Sequence, residues 1–326
     1  MSISVIVPYY NSSAHLPGLI HTLTELTVHT PDTQVVIVDD CSNHDEYIKL
    51  CEATANFDWT VVRQETNTGP GPARNRGITL ATGDYIVFLD ADDSLSCDMY
   101  RVLSPIIREH DPDVILFDVK TVSPRSTLLL RMIPDSERGR VDPKFALAYA
   151  RSMTAGKCYK SRFIRDFNLA FGDLKRHEDT AFTKSALGLA QSVFYEPQAL
   201  YVYQITPGSL VTDESNASME SSFNSIAYIR DTVGDRRPEE VQYVYIVEVI
   251  LSCAMKINSL GLSDNEVKTL FDRFDVDEPH WWDNGYLKHS SRRYQLMAQM
   301  VRYRRIRTLR LFLRLEAVAR KLLGIG

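Results

Sequence analysis

Short apolar runs alternate with helix-like segments over residues 1–120. Five runs have the length and the β-branched and aromatic content of strands, and they lie at residues 3–8, 34–40, 59–64, 85–93 and 113–119. Strands that alternate with helices are typical of βαβ units and of a mostly parallel sheet. Runs that are apolar at consecutive positions suit strands covered on both faces. The pattern therefore predicts an α/β fold with helices flanking the sheet.

The second half of the chain has a different pattern. Residues 120–150 are irregular, with a helix expected near 145–151, and from residue 217 onward the apolar spacing becomes helical. Pro238 stands near the start of one such helix, where proline is tolerated. We predict a domain at 1–212, a helical extension at 213–290 and a basic amphipathic tail at 291–326.

Carboxylates follow two of the predicted strands. Asp39 and Asp40 end the second run, and Asp90, Asp92 and Asp93 end the fourth. In open α/β sheets, ligands bind outside the carboxyl ends of the strands. Acids gathered there repel one another unless a cation or hydrogen-bond donors compensate them. A D-x-D pair suits a hard divalent ion that takes one or two carboxylates and completes its shell with water and phosphates.

Two common nucleotide-binding motifs are absent from the sequence. There is no Walker A motif and no G-x-G-x-x-G motif, and the glycines of residues 67–77 have the wrong spacing and are interrupted by Pro70 and Pro72. NTP hydrolysis and NAD chemistry are therefore poor interpretations of the strand-end acids.

Four segments in order carry a family resemblance. They read "SVIVPYYN", "VVIVDDCSN", "NTGPGPARNRGITLATGDYIVFLDADD" and "HEDTAF". Together they resemble the successive signatures of family 2 glycosyltransferases, which are inverting enzymes with the GT-A fold. The resemblance spans residues 2–210. It implies a Rossmann-like nucleotide-diphospho-sugar transferase domain followed by a helical extension.

The resemblance also implies a donor site. Its nucleotide-binding residues are Pro8, Tyr10, Asp39, Arg74, Asp90 and Ala91. Asp39 is similar to the acid that accepts a hydrogen bond from uracil, and Arg74 to the residue that reaches the base or holds Asp39. Asp92 is similar to the ligand of Mn²⁺ or Mg²⁺ that bridges to the diphosphate. From the residues alone, Asp40 and Asp93 are equally explained as caps of the helices that follow them.

Residues 174–182, "LKRHEDTAF", contain the expected catalytic base. Acids at a helix start are also favoured by the helix dipole, so capping is the alternative for Glu178 and Asp179. The resemblance makes Asp179 the general base that deprotonates the acceptor hydroxyl. His177, Glu178 and Ser209 are expected as acceptor or loop contacts.

Two further segments are similar to the family's acceptor and loop regions. Residues 156–164, "GKCYKSRFI", match an acceptor-side segment, with a solvated helix surface as the alternative for its cations. Gln204 stands where the family commonly has an arginine, which weakens any cationic contact to the diphosphate from that position.

The predicted function is metal-dependent inverting transfer of a sugar from a UDP-sugar to a saccharide or lipid-linked hydroxyl acceptor, in polysaccharide or glycolipid synthesis. One alternative is a nucleotidyltransferase, but such enzymes carry a glycine-rich basic loop after the first strand, where this chain has "PYYNSS". The other alternative is a catalytically inactive, membrane-associated scaffold. It would be favoured by loss of Asp92 or Asp179, and both are present.

Charge is spread unevenly along the 326 residues. The net charge is -5, but residues 291–326 hold ten Lys/Arg and one acid. Leu296, Met300, Tyr303, Ile306, Leu309 and Leu313 form an apolar stripe with helical spacing, and Arg304, Arg307, Arg310 and Arg314 line another side. A long basic amphipathic helix is typical of a peripheral membrane contact. The alternative is packing on the domain or a homo-oligomer, and no nucleic-acid-binding module accompanies the tail.

The remaining composition is ordinary. The five cysteines are scattered, without a C-x-x-C pair, which favours reduced thiols. We see neither a signal peptide nor an apolar run long enough to span a bilayer. A cytoplasmic protein, with a peripheral contact to the inner face of the membrane, is the expected localisation.

Overall fold

The computed structural model describes residues 2–30, 32–124, 126–205 and 216–322. The chain divides into two compact units, Met1–Ser209 and Leu210–Gly326. The division into three parts, with a separate tail from residue 291, stays a prediction. Among the described residues, no helix combines the length and apolarity needed to cross a membrane.

In the described residues of the first unit, ten strands form one sheet. Its main path runs in the order β3-β2-β1-β4-β9-β6-β10-β5, with β7 beside β6 and β8 beside β10. The strands are β1 (Ile3–Tyr9), β2 (Thr33–Asp39), β3 (Thr60–Arg63), β4 (Tyr85–Phe88), β5 (Ser94–Leu95), β6 (Val114–Val122), β7 (Thr127–Leu130), β8 (Gly139–Val141), β9 (Lys157–Lys160) and β10 (Val193–Gln204).

The five predicted strands are present and run in one direction. β2, β1 and β4 pair in parallel, and β3 is parallel to β2. β9 pairs antiparallel with both β4 and β6, so that β6 is oriented like β4. The sheet is therefore mixed, since β9, which was not predicted as a strand, runs antiparallel between β4 and β6. The ends of β1, β2 and β4 nevertheless lie at one edge, where Asp40 N donates to Tyr9 O at 2.8 Å and Leu89 N donates to Ile6 O at 3.0 Å.

Helices flank this sheet. They are α1 (Leu16–His29), α2 (His44–Thr54), α3 (Pro70–Leu80), α4 (Met99–His110), α5 (Pro143–Tyr149), α6 (Ser161–Asp166) and α7 (Glu178–Leu189). α3 packs so closely on β1 that a Cβ built at Gly77 lies 2.2 Å from Ile6 Cγ2. A residue without a side chain is needed there, and this close approach fixes where the residues of α3 meet the strand ends.

The second unit is helical. Its helices are α8 (Asn216–Val233), α9 (Pro238–Tyr245), α10 (Ser252–Lys256), α11 (Asp264–Asp277), α12 (Gly285–Lys288), α13 (Arg292–Arg302) and α14 (Ile306–Leu322). A π-helical segment, Ile246–Leu251, joins α9 to α10. Pro238 occupies the first turn of α9, where its missing N–H costs no hydrogen bond. Ser263 and Glu266 form a reciprocal capping box at the start of α11.

The prediction of one long helix at the end of the chain is wrong, because α13 and α14 are separate helices. The chain leaves the helical conformation after α13, and Arg304 adopts a left-handed conformation with φ of 53° before α14 begins. Arg304 donates to Asp272 and Asp275 of α11, at 2.9 and 2.7 Å. These tertiary ion pairs favour the turn at this position, although the local apolar spacing continues across it.

Candidate active site

The loops after β1 and β2 are tied together beside the sheet edge. Asn11 N donates to Ser42 Oγ at 2.9 Å, and Asn43 N donates to Asn11 Oδ1 at 2.8 Å. Pro8 is half-buried at the end of β1, and Tyr10 is 47% exposed beside it. An accessible ring at the end of a parallel strand is placed to contact a bound ligand.

Asp39 is completely buried at the end of β2. Its carboxylate accepts from Ser42 N at 3.2 Å and lies 3.4 Å from Arg63 Nε. Arg63 was missed by sequence reasoning, although it ends β3 directly opposite Asp39 in the parallel register. The expectation that Arg74 holds Asp39 is therefore wrong in this structure, since Arg63 has that place.

Asp40 does not cap the helix that follows it. Its carboxylate accepts from Thr68 N at 2.9 Å, Gly69 N at 2.6 Å and Gln64 Nε2 at 2.6 Å. Gly69 precedes the first residue of α3 and has a φ of 94°. Asp40 thus fixes the start of α3 to the end of β2, and the capping interpretation for α2 is incorrect.

The Asp90–Asp93 turn follows β4. The side chain of Asp90 is 35% exposed, Asp92 is half-buried, and Ala91 is 8% exposed. Burial raises the pKa of Asp92, and the neighbouring Asp90 raises it further. The charge of Asp90 thus disfavours ionisation of Asp92, a cost that a cation would relieve.

Asp93 anchors this turn to β10 and caps no helix. Its carboxylate accepts from Tyr201 Oη at 2.5 Å and from Gln204 N at 2.8 Å. α4 begins only at Met99, so the expected capping role for Asp93 is wrong. Burial, followed by the charge of Asp90, raises the pKa of Asp93. The end of β10 therefore positions the acidic turn.

Arg74 lies between the acidic turn and the start of α7. It is 4% exposed, its Nη2 is 2.6 Å from Asp90 Oδ1, and its Nη1 is 3.3 Å from Glu178 Oε1. Burial alone lowers the pKa of Arg74, but Asp90 and Glu178 outweigh it, so that the pKa of the guanidinium is raised. Arg74 is thus a buried link between the strand-end acids and the predicted base helix.

An aromatic cluster supports that link. The Arg74 guanidinium lies 5.3 Å from the centre of the Phe171 ring. Phe171 stacks on Phe182 of α7 at 4.1 Å, and Phe88 of β4 meets both rings edge-on. Apolar rings lower the local dielectric and so strengthen the ion pairs of Arg74.

The predicted base, Asp179, occupies the first turn of α7 beside Glu178. One oxygen of its carboxylate accepts from Thr180 N at 2.7 Å. His177 precedes the helix in a left-handed conformation with φ of 58°. The structure therefore brings Asp90, Arg74, Glu178 and Asp179 to one side of the sheet edge, whereas Ser209 lies outside the described residues.

Two lysines are buried although the sequence did not predict it: Lys184 was not considered, and Lys157 was offered as part of a solvated helix surface. Lys157 of β9 is 0% exposed and donates to Met153 O at 2.5 Å, so the alternative of a solvated helix surface is wrong for it. Lys184 of α7 donates to Leu147 O and Ala150 O at 2.9 and 2.6 Å. Burial, and then the charge of Lys184, lower the pKa of Lys157, while the carboxylate of Asp179 opposes this shift. The segment "GKCYK" contains two lysines, and no signal in the sequence distinguishes Lys157 as the buried one.

The acidic turn offers carboxylates to a divalent cation. Among the described residues, no three His, Cys, Asp or Glu side chains form a cluster that would enclose a metal. Asp90 and Asp92 supply two carboxylates, and Mg²⁺-like ions in phosphate-binding sites commonly take one or two and leave other positions to water and phosphate oxygens. The residues present fit an ion that binds together with a diphosphate.

Comparison with known proteins identifies the family. The profile described as Glycosyl transferase family 2 matches residues 4–162. An uncharacterised glycosyltransferase of Haemophilus influenzae is 37% identical over 288 residues, which cover 83% of this chain and 90% of that protein. The chain belongs to glycosyl transferase family 2.

Other members of the family resemble it over a smaller share of their length or at lower identity. TarS of Staphylococcus aureus, a poly(ribitol-phosphate) beta-N-acetylglucosaminyltransferase, is 31% identical over 209 residues; the match covers 62% of this chain and 35% of TarS. The crystal structure of S. aureus TarS 1-349 in complex with UDP-GlcNAc matches with a TM-score of 0.74 at 22% identity, covering 95% of this chain and 90% of that one. These findings confirm the predicted family, the GT-A fold with a helical C-terminal part, and the enzyme class, a glycosyltransferase.

Proposed function

We propose that this family 2 enzyme transfers a hexosyl or N-acetylhexosaminyl group from a UDP-sugar to a hydroxyl acceptor with inversion. The observation that carries the proposal is the cluster of Asp90, Arg74 and Glu178, which links the acidic turn to Asp179 at the carboxyl ends of the parallel strands. TarS, with its UDP-GlcNAc complex, supports the choice of donor. The poly(ribitol-phosphate) acceptor of TarS supports a hydroxyl on a cell-surface polymer or glycolipid as the acceptor class.

In the proposed donor site, the nucleotide lies against Pro8 and Tyr10, with the base toward Asp39. Asp90 and Ala91 lie near the ribose and diphosphate, and Asp92 with Asp90 would hold Mn²⁺ or Mg²⁺. When bound, this cation offsets the negative charge of the departing UDP. Arg74 keeps Asp90 in place and does not reach the base, because its guanidinium is already engaged by Asp90 and Glu178.

The proposed chemistry rests on Asp179. Its carboxylate takes the proton of the acceptor hydroxyl while that oxygen bonds to the anomeric carbon from the face opposite the UDP. The anomeric carbon–phosphate oxygen bond breaks, and its electron pair leaves with UDP. Glu178 and His177 lie where an acceptor would approach, and Ser209 is proposed as a loop contact.

The test separates binding from chemistry. We expect titration calorimetry to show metal-dependent binding of UDP, in preference to GDP and dTDP, that Asp92→Asn abolishes. We expect Asp179→Asn to bind UDP normally but to release UDP from UDP-GlcNAc or UDP-glucose about 100- to 10,000-fold more slowly in the presence of acceptor, the range for loss of a general base.

The matched control is Asp166→Asn, which changes an exposed acid at the end of α6 that pairs with Arg162. It should bind UDP and turn over like the wild type. Failure of the well-folded wild type to bind any nucleotide would overturn the proposal and favour the inactive scaffold. Normal turnover by Asp179→Asn would remove Asp179 from the mechanism.

A further inference from the structure

α14 presents two apolar stripes on different sides. One stripe faces the rest of the second unit, where Leu309 is 0% exposed and Ile306 and Leu313 are half-buried. The other consists of Leu311, Leu315 and Val318, which are 57%, 60% and 57% exposed. Their spacing of four and three residues places them on one helix face. We call these three residues the outer stripe.

The arginines of the tail also fall into two groups, one paired inside the second unit and one exposed. Arg310 donates to Asp264 and to the Leu262 carbonyl, and Arg304 is held by Asp272 and Asp275. These two cations are therefore neutralised within the second unit. They are not available for an external partner.

Arg307 and Arg314 point the other way. Both are exposed, and in the part of the chain that the structure describes neither forms an ion pair. They lie two turns apart, along one border of the outer stripe. The single acid of α14, Glu316, is 2.7 Å from Arg293 of α13 and is thus turned away from this border. The exposed face of α14 is apolar and carries uncompensated positive charge.

We propose that the outer stripe of α14, with Arg307 and Arg314, docks on the surface of an anionic lipid bilayer. Leucine and valine side chains on one helix face partition into the boundary between headgroups and acyl chains. Arginines along the border of that face meet the anionic headgroups. The charge on this face complements an anionic surface, whereas two copies of it would bring like charges together.

The membrane-facing residues therefore differ from those that helical spacing alone predicted. The stripe through Ile306, Leu309 and Leu313 packs inside the unit, and Arg304 and Arg310 are used for internal ion pairs. The inference goes beyond the proposed function, because it names a contact of the second unit that involves neither donor nor acceptor.

The test is sedimentation of the full chain with vesicles, in the absence of nucleotide. We expect binding to vesicles of phosphatidylcholine mixed with phosphatidylglycerol, weakening with added salt, and little binding to phosphatidylcholine alone. Leu311→Gln/Leu315→Gln should lower the partition coefficient at least about tenfold. Arg307→Gln and Arg314→Gln should each lower it about fivefold.

The matched controls are Val28→Gln on α1 and Arg162→Gln on α6, whose side chains are 68% and 82% exposed. Both should bind vesicles like the wild type. Absence of wild-type sedimentation with anionic vesicles, or unchanged binding of the α14 variants, would overturn the proposal. So would a dimer in sedimentation velocity that Leu311→Gln/Leu315→Gln converts to a monomer, since a second copy would then occupy the stripe. Unchanged UDP binding by the α14 variants would show that a loss of vesicle binding does not come from damage to the proposed donor site.

Discussion

Replacement of Arg74 by methionine removes the guanidinium that touches both Asp90 and Glu178. Methionine keeps much of the length and apolar character of the arginine side chain, whereas the guanidinium over the Phe171 ring is lost. The two carboxylates lose their compensating charge, and the side chain of Glu178 is only 13% exposed. Removal of one partner from a buried ion pair costs about 3–5 kcal/mol. Because the Asp90 side chain is 35% exposed and partly screened by water, we expect the lower end, about 3 kcal/mol.

The assay is urea unfolding of Arg74→Met, Glu178→Gln and the double variant, followed by circular dichroism without ligand. Glu178→Gln removes the acid that Arg74 compensates, so the double variant should be more stable than the sum of the two single losses predicts. We expect a coupling free energy of about 1–2 kcal/mol, within the range for contacting residues. The urea dependence should remain unchanged, as a sign that the same surface unfolds.

Additive losses, with coupling below about 0.5 kcal/mol, would show that Arg74 and Glu178 act independently and would refute the reasoning. Arg74→Lys is the conservative variant. It keeps the charge but lacks the planar fork that reaches two acids, so its stability should lie between those of the wild type and Arg74→Met.

Two further predictions concern packing and the acidic turn. Gly77→Ala should destabilise the protein by about 1–3 kcal/mol in urea unfolding, because its Cβ would lie 2.2 Å from the side chain of Ile6 on β1. The control Gly18→Ala, in open space on α1, should be neutral or slightly stabilising. Equal effects of the two substitutions on the free energy of unfolding would contradict the close approach of α3 to β1. Tyr201→Phe removes the hydroxyl that donates to the buried Asp93 at 2.5 Å, and should cost about 1–3 kcal/mol and weaken UDP binding. The exposed-ring control, Tyr303→Phe, should change neither quantity, and retention of full stability and UDP affinity by Tyr201→Phe would argue against an anchoring role for β10.

Local sequence patterns could not predict which distant residues contact one another. Arg74 and Glu178 are 104 residues apart in sequence, and Tyr201 and Asp93 are 108 apart. Spacing reports which face of an element is apolar, but it holds no information on which distant side chain meets that face. For this reason Asp40 and Asp93 were interpreted as possible helix caps, and Arg74 was expected to be the partner of Asp39 in place of Arg63.

Five of the strands and the acidic edge of the sheet were determined by the sequence itself, whereas β9 was not. Buried strands require consecutive apolar residues, and parallel pairing brings their carboxyl ends to one edge, so that the positions of Asp39, Asp90 and Asp92 followed from the chain alone. The tertiary structure decided the rest, because burial and ion pairing depend on contacts between distant segments. It placed Lys157 inside the sheet, and it bent the tail at Arg304 toward the acids of α11, which left a different stripe of α14 exposed to solvent.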